Sequence, residues 1–238
     1  MNEKTSLHQH GTLGALMAGL MDGTAPLKEI LTWGDFGIGT LHGLDGEMII
    51  LAGQPYQGRA DGSLVHLTGA EMVPYAAVTT FKPEQSLPIN DGANHQAVKQ
   101  FIEAHLQSKN IFSAVKLSGC FKKMHIRIMP KQERPYDRLV NVSKNQPEFI
   151  REDVEGTIVG FYTPELFQGA AAAGFHLHFL ADDHQFGGHI LGFELESGTL
   201  ELAAMDQFIQ HFPTSNAEFM DNEIDYTDLA NEIAAAEG

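Results

Sequence analysis

Apolar residues recur along this chain in two rhythms. Leu13, Leu16, Met17, Leu20 and Met21 fall at helical spacing, with Gly23 beyond them as a stop. Val98, Phe101, Ile102 and Leu106 repeat at the same period after Asn94, whose side-chain oxygen suits it to cap a helix. Elsewhere the pattern is that of strands. Residues 36–42 and 47–52 flank Gly43-Leu-Asp-Gly46, and Asp-Gly between apolar runs predicts a hairpin. Met48 to Ala52 reads as a buried strand, and 64–67, 75–81 and 111–117 as further strands. In Lys123 to Met129, His125 and Arg127 share one face while Met124, Ile126 and Ile128 share the other. More strands are predicted at 157–162, 190–195 and 199–204. Residues 164–173 read as a short helix closed by Gly174, and 228–236 as a last helix capped by Thr227 and anchored by Leu229 and Ile233. The polar run 130–150, punctuated by Pro130, Pro135 and Pro147, reads as a loop or a crossing between halves.

One stretch carries chemistry. His176-Leu-His178 places two imidazoles on the same face of a strand. Asp182, Asp183 and the Gly187-Gly188 pair then read as a turn, so a returning strand brings His189 beside them. Three imidazoles converging from a hairpin, with coordination positions left open, form the layout of a catalytic zinc-type site. The apolar neighbours Phe175, Leu177, Phe179, Ile190 and Leu191 favour a buried cluster over three unrelated surface histidines. His184, inside the turn, is expected to face solvent.

Composition narrows the reading. A chain of 238 residues, 43% hydrophobic and 19% charged, has the means for a sizeable core. A net charge of −16 argues against nucleic acid, which needs a basic footprint. It also opposes an anionic substrate, except that Lys122, Lys123, Arg127, Lys131, Arg134 and Arg138 concentrate six of the 15 basic residues locally. No apolar run approaches the roughly 20 residues of a membrane span, and no leader is visible at the N-terminus, so no membrane partner and a cytoplasmic location are expected. The single cysteine, Cys120, excludes an intrachain disulfide and a cysteine-rich zinc site, and is expected to be a small buried hydrophobe. Trp33 reads as core or interface packing. There is no GxGxxG and no P-loop.

Taken together, Gly37-Ile-Gly-Thr40-Leu-His-Gly-Leu-Asp-Gly-Glu47, Phe121-Lys-Lys-Met-His-Ile-Arg127, Glu165-Leu-Phe167, Gly174-Phe175 and the three histidines resemble bacterial α-acetolactate decarboxylase, from about residue 12 to the C-terminus. The resemblance implies an α/β fold with mixed and antiparallel β-sheets and a few helices around a buried metal site. Both halves read as a helix followed by strands, a pattern suggesting duplication. The expected division is 1–130, an N-terminal α/β half with a mixed sheet, and 131–238, a β-rich half carrying the histidines and a C-terminal tail, unless the two form one integrated domain.

The resemblance further implies a zinc or other divalent ion on His176, His178 and His189. It implies Glu47 and Arg127 in the substrate site with Thr40 beside them. A glutamate of the tail reaching the metal matches Glu237 best, with Glu232 as the alternative. The substrate implied is 2-acetolactate, a small molecule, and the products are acetoin and CO2, within acetoin and butanediol fermentation. Members are often homodimers. The ion would stabilise an enediolate as a Lewis acid. Arg127 would grip the carboxylate in two bonds. Glu47, with Glu237 near the metal able to act alongside it, would protonate one face of the enediolate, a task that calls for a raised carboxyl pKa. Thr40 would hydrogen-bond the substrate or Glu47. Two other classes compete on the residues alone: a zinc hydrolase with Glu47 as base, and a non-catalytic, metal-dependent binding module.

Overall fold

The computed structural model describes residues 4–237, with the side chains of Ala234 and Glu237 outside the description. Two sheets dominate it. The first takes β1 (Ser6–His10), β3 (Phe36–Thr40), β4 (Glu47–Leu51), β5 (Gln54–Gly58), β6 (Leu64–His66), β8 (Tyr75–Thr79) and β15 (Gln207–His211), in the order β15-β1-β8-β3-β4-β5-β6. Its pairings are antiparallel except β1 with β15, which run parallel. The second sheet is antiparallel and is built on three long strands, β11 (Ser113–Arg127), β12 (Glu148–Thr163) and β14 (Gly187–Ala204), with β13 (Gly174–Ala181) and the short β9 (Gln85–Ile89) and β10 (Ala93–Asn94). Because β13 also pairs with β14, the four strands β11 to β14 close a ring. A two-stranded ribbon, β2 (Ala25–Pro26) with β7 (Met72–Val73), completes the strands.

The helices are short: α1 (Leu13–Met17), α2 (Leu27–Ile30), α3 (His95–His105), α4 (Leu139–Val142), α5 (Ala217–Asp221) and α6 (Leu229–Glu237). Period-2 alternation decides where the core lies. Leu7, Ile38, Ile49 and Ala77 of the first sheet meet Ala114, Val159, Phe161 and Leu180 of the second in one buried cluster. The opposite face of the first sheet, with Met48, Ile50, Ala76 and Val78, packs on α2. Inside the ring lie Phe121, Ile126, Phe179 and Phe193, plugged by Val98 and Ile102 of α3. A fourth cluster gathers α1, α4 and α6 through Leu13, Leu16, Leu139 and Ile233.

The expected hairpin at 36–52 forms, with Gly37 opposite Ile50, and Asn94 caps α3 by accepting from the Ala97 amide at 2.9 Å. Several boundaries differ from the pattern. The first helix ends at Met17, because Gly19 turns out at φ +88°. The runs at 111–117 and 123–129 are one strand, its alternation shifted by bulges between Cys120 and Lys123. Likewise 190–195 and 199–204 are one strand, and the strand expected at 157–162 begins at Glu148. Residues 164–173 hold only a single 3-10 turn, Glu165–Phe167. Cys120 sits half-exposed at the bulge, 3.7 Å from Glu155 Oε1. The halves 1–130 and 131–238 do not coincide with the sheets: β15 joins the first sheet, and β9, β10 and β11 belong to the second. Among the described residues no helix is long and apolar enough to cross a membrane.

Candidate metal centre

The hairpin β13–β14 sets His178 directly opposite His189, and His176 lies two residues back on the same face. The turn between them is closed by Ala181 N donating to Phe186 O at 2.8 Å, with His184 exposed at its tip at φ +53°. The three rings converge, their centroids 5.0 to 5.5 Å apart. One ligand atom from each lies within 4.8 Å of the others.

A close backbone approach brings the carboxylate to them. Gly187 of β14 meets Gly58 of β5, where a Cβ on Gly58 would stand 2.4 Å from the Gly187 carbonyl oxygen. Only glycine permits that contact, and it presses the histidine hairpin against β4 and β5. Glu47, the first residue of β4, is thereby buried at 7% exposure. Its Oε1 accepts from the Met129 amide at 3.0 Å, and its Oε2 lies 3.5 Å from His178 Nε2. Arg127, last in β11, is opposite His189 in register, and its Nη2 stands 3.2 Å from His189 Nε2.

These residues fit a divalent cation. His178 donates from Nδ1 to the Met48 carbonyl at 3.0 Å, which leaves Nε2 with a lone pair and no hydrogen bond. This is the outer-shell anchoring seen for metal-bound imidazoles. That lone pair faces a carboxylate oxygen, a pairing that a cation beside them stabilises. Burial, with the Arg127 charge added, holds His176 down to about 3. Burial, then the His176 charge, depresses His178 well below the ordinary histidine value. Both rings are neutral ligands at physiological pH.

The histidines open into a pocket of about 450 Å³. Glu47, Arg127, Thr40, His176 and His189 form its polar side, and Leu13, Leu16, Leu44, Met129 and Leu139 its apolar side. Thr40 lines the pocket, yet its hydroxyl donates to the Gly46 carbonyl at 2.8 Å, which fixes the 41–46 loop beneath Glu47. Glu232 is held by Arg138 at 2.7 Å; the side chain of Glu237 lies outside the described residues. Sequence reasoning missed Tyr75, which is buried at 3% and lines the same pocket. No sequence pattern singles it out: the β3–β8 pairing sets Tyr75 opposite Thr40.

Fold and site together define a class, an α/β protein with a three-histidine site able to hold a metal ion beside a buried acid and a guanidinium. The family model for alpha-acetolactate decarboxylase matches residues 7–226. The alpha-acetolactate decarboxylase of Lactococcus lactis subsp. lactis is 44% identical over 237 residues, covering 100% of both chains. The crystal structure of alpha-acetolactate decarboxylase from Bacillus subtilis strain 168 superposes with a TM-score of 0.95 at 35% identity, covering 98% of this chain and 99% of that one. A Staphylococcus aureus protein of unknown function, described as similar to that enzyme, gives a TM-score of 0.95 at 47% identity over 98% of this chain and 100% of its own. The chain belongs to the alpha-acetolactate decarboxylase family, a family of carboxy-lyases.

Proposed function

We propose that this protein converts 2-acetolactate to acetoin and CO2, using a divalent ion held by His176, His178 and His189. The observation that carries the reading is the convergence of His176, His178 and His189 beside a pocket that Glu47 and Arg127 line. When bound, the ion supplies Lewis acidity toward the ketone and hydroxyl oxygens of the substrate. An all-imidazole donor set suits zinc and leaves open coordination positions. A homodimer and a place in acetoin formation rest on the family likeness alone, and a cytoplasmic location is proposed from the single cysteine.

The substrate carries a carboxylate on a carbon that also bears a hydroxyl and adjoins a ketone. The guanidinium of Arg127 offers a planar fork to that carboxylate. Its useful work is orientation, since a grip equally tight in the ground state gives no rate. With the C–C bond held perpendicular to the ketone plane, its electron pair passes to the ketone as CO2 leaves. The resulting enediolate then needs a proton on the carbon that lost CO2. In this reading Glu47, as the neutral acid, delivers it from one side, a role supported by the Met129 amide holding one of its oxygens while the other lies toward the histidines. One-sided delivery makes acetoin of a single hand. The apolar wall of Leu13, Leu16 and Leu139 suits the two methyl groups and keeps water from competing as the proton source.

The test is acetoin formation from racemic acetolactate, before and after removing metal with a chelator and after restoring zinc. Loss on stripping and recovery on zinc addition is the expected result. A folded, zinc-loaded protein that releases no acetoin overturns the proposal.

A further inference from the structure

The loop that leads into Glu47 holds a strained residue. Between β3 and β4 the chain takes positive φ at Gly43 (+71°), Leu44 (+55°) and Gly46 (+76°). Glycine is required at two of these. A Cβ on Gly43 would stand 2.6 Å from the Gln132 carbonyl oxygen, and one on Gly46 2.0 Å from that of Gly58. Leu44 instead carries a bulky side chain in the left-handed region, where Cβ crowds the following carbonyl. Glycine would take the same backbone without that cost. The other non-glycine residues at positive φ among those described, Ala52, Asp153 and His184, are exposed. Leu44 is 1% exposed and lines the pocket beside the three histidines.

Hydrogen bonds hold this loop on its course. The Gly43 amide donates to the Met21 carbonyl at 2.8 Å, and the Gln132 amide to the Gly43 carbonyl at 2.6 Å. The Thr40 hydroxyl holds the Gly46 carbonyl at 2.8 Å, and Gln57 Nε2 the Asp45 carbonyl at 2.6 Å. What the leucine adds is bulk at the pocket. Leu13 and Leu16 reach the apolar wall from α1 and Leu139 from α4, all in helical conformation. Leu44 comes from the turn that delivers Glu47, in which the Gly46 amide closes on the Leu44 carbonyl at 2.8 Å. Strain kept at a residue that lines a site points to a task for its side chain.

We propose that Leu44 is a specificity-determining residue, setting the size of the alkyl group accepted on C2, the substrate carbon that bears the carboxylate. The inference rests on the decarboxylase reading, in which Glu47 protonates that carbon. A side chain from the same turn stands against the alkyl substituent of C2, the methyl of acetolactate, rather than against the acyl end. The substrate class is thereby narrowed to 2-hydroxy-3-oxo acids with a small group on C2.

The probes are acetolactate and two isomers that each carry one more methylene. In 2-ethyl-2-hydroxy-3-oxobutanoate it lies on C2, and in 2-hydroxy-2-methyl-3-oxopentanoate on the acyl side. kcat/KM is measured on the zinc-loaded proteins from CO2 release, with the uncatalysed loss subtracted. One methylene in an apolar pocket is worth about 10- to 200-fold. Leu44→Ala should raise the ratio of the 2-ethyl substrate to acetolactate by about tenfold or more, and leave that of its isomer within about twofold. Leu44→Gly opens the same wall and relieves the backbone, so it should give the same shift where the alanine variant folds poorly. Leu44→Met, of similar volume, should keep the wild-type ratios. Met17→Ala, in the same apolar cluster but not among the residues lining the pocket, should lower thermal stability and move neither ratio. Equal changes on all three substrates, a gain shared by the isomer, or unchanged ratios in Leu44→Ala and Leu44→Gly would each overturn the assignment. Wild-type turnover of acetolactate is a separate readout, so failure here is distinguishable from failure of the decarboxylase reading.

Discussion

Replacing Glu47 with Gln isolates the proton from the shape. The amide oxygen retains the acceptor for the Met129 amide, which Glu47 Oε1 now provides at 3.0 Å. Side-chain volume is nearly the same, so the buried site keeps its packing. What is lost is an acid able to donate to the enediolate carbon. Positioned proton transfer contributes about 10²- to 10⁴-fold, or roughly 2.7 to 5.4 kcal/mol of barrier. The expected kcat loss lies in that range, and residual acetoin loses its optical purity because water supplies the proton from either face. The new amide nitrogen lies where Oε2 stood, 3.5 Å from His178 Nε2, and can donate to that lone pair. Metal content must therefore be measured on the same preparation. Acetoin yield, product rotation and bound zinc together decide the matter. A variant within tenfold of the wild type, still giving one enantiomer with full metal, refutes Glu47 as the acid.

Four further outcomes are expected. His178→Ala removes a ligand and leaves the Met48 carbonyl without its donor, a buried loss of about 1–3 kcal/mol; dialysed protein should retain little zinc and form no acetoin, and full activity with no metal bound would contradict the site. Arg127→Lys should keep the metal and lose most of the rate, since a point charge cannot replace the fork, and an unchanged kcat/KM would remove Arg127 from carboxylate binding. Removing residues 232–238 deletes Ile233 and Ala236 from the cluster over the pocket and the Arg138–Glu232 ion pair, so thermal stability and turnover should both fall; a fully active truncation would exclude the tail from the site. Burial, with the His211 charge second, lowers His10 to about 4, so below pH 6.5 the unfolded chain takes up a proton that the folded one refuses. Stability is thus lost as pH falls from 6.5 toward 4, by up to about 3 kcal/mol before solvent screening, and urea unfolding of His10→Gln should show a shallower acid loss than the wild type; identical slopes would refute it.

The histidine hairpin was legible because every step of it is local. His-x-His fixes one face, the turn chemistry fixes the reversal, and the third histidine returns in register. Glu47 was not legible in that way, since beside a turn it reads as a solvated residue. Its burial comes from the Gly58–Gly187 approach, between residues more than a hundred positions apart. The long strand β11 hid for another reason: bulges between Cys120 and Lys123 shift its alternation, so one strand reads as two. Strands β1 and β15 gave only a weak apolar signal, Leu7 in one and Phe208-Ile209 in the other, with no sustained alternation. They pair parallel, Ser6 with Gln207 through His10 with His211, and their Gln and His side chains bond one another, as Gln9 does with Gln210 at 2.9 Å. The strand Gln54–Gly58 was masked by Pro55, which ordinarily argues against a strand.

The surplus of negative charge can now be set against an anionic substrate. Of the six basic residues between 122 and 138, Lys131 is paired with Asp45 at 3.4 Å, Arg134 with Asp22 and Glu218, and Arg138 with Glu232 at 2.7 Å. Among those six, Arg127 lines the pocket beside the three histidines. Half of the cationic stretch seen in the sequence is therefore engaged in ion pairs, and the attraction for a carboxylate is concentrated in the Arg127 guanidinium, with an ion on the three histidines adding to it where one binds. That concentration is sufficient. Surface carboxylates are screened over about 8 Å at physiological ionic strength. A unit charge about 4 Å from the substrate carboxylate, in a partly buried site, is worth roughly 4 kcal/mol. Local charge thus outweighs the global field, so kcat/KM should change little with moderate salt and collapse when the Arg127 charge is removed. A steep salt dependence in the wild type would mean that surface charge steers the substrate after all.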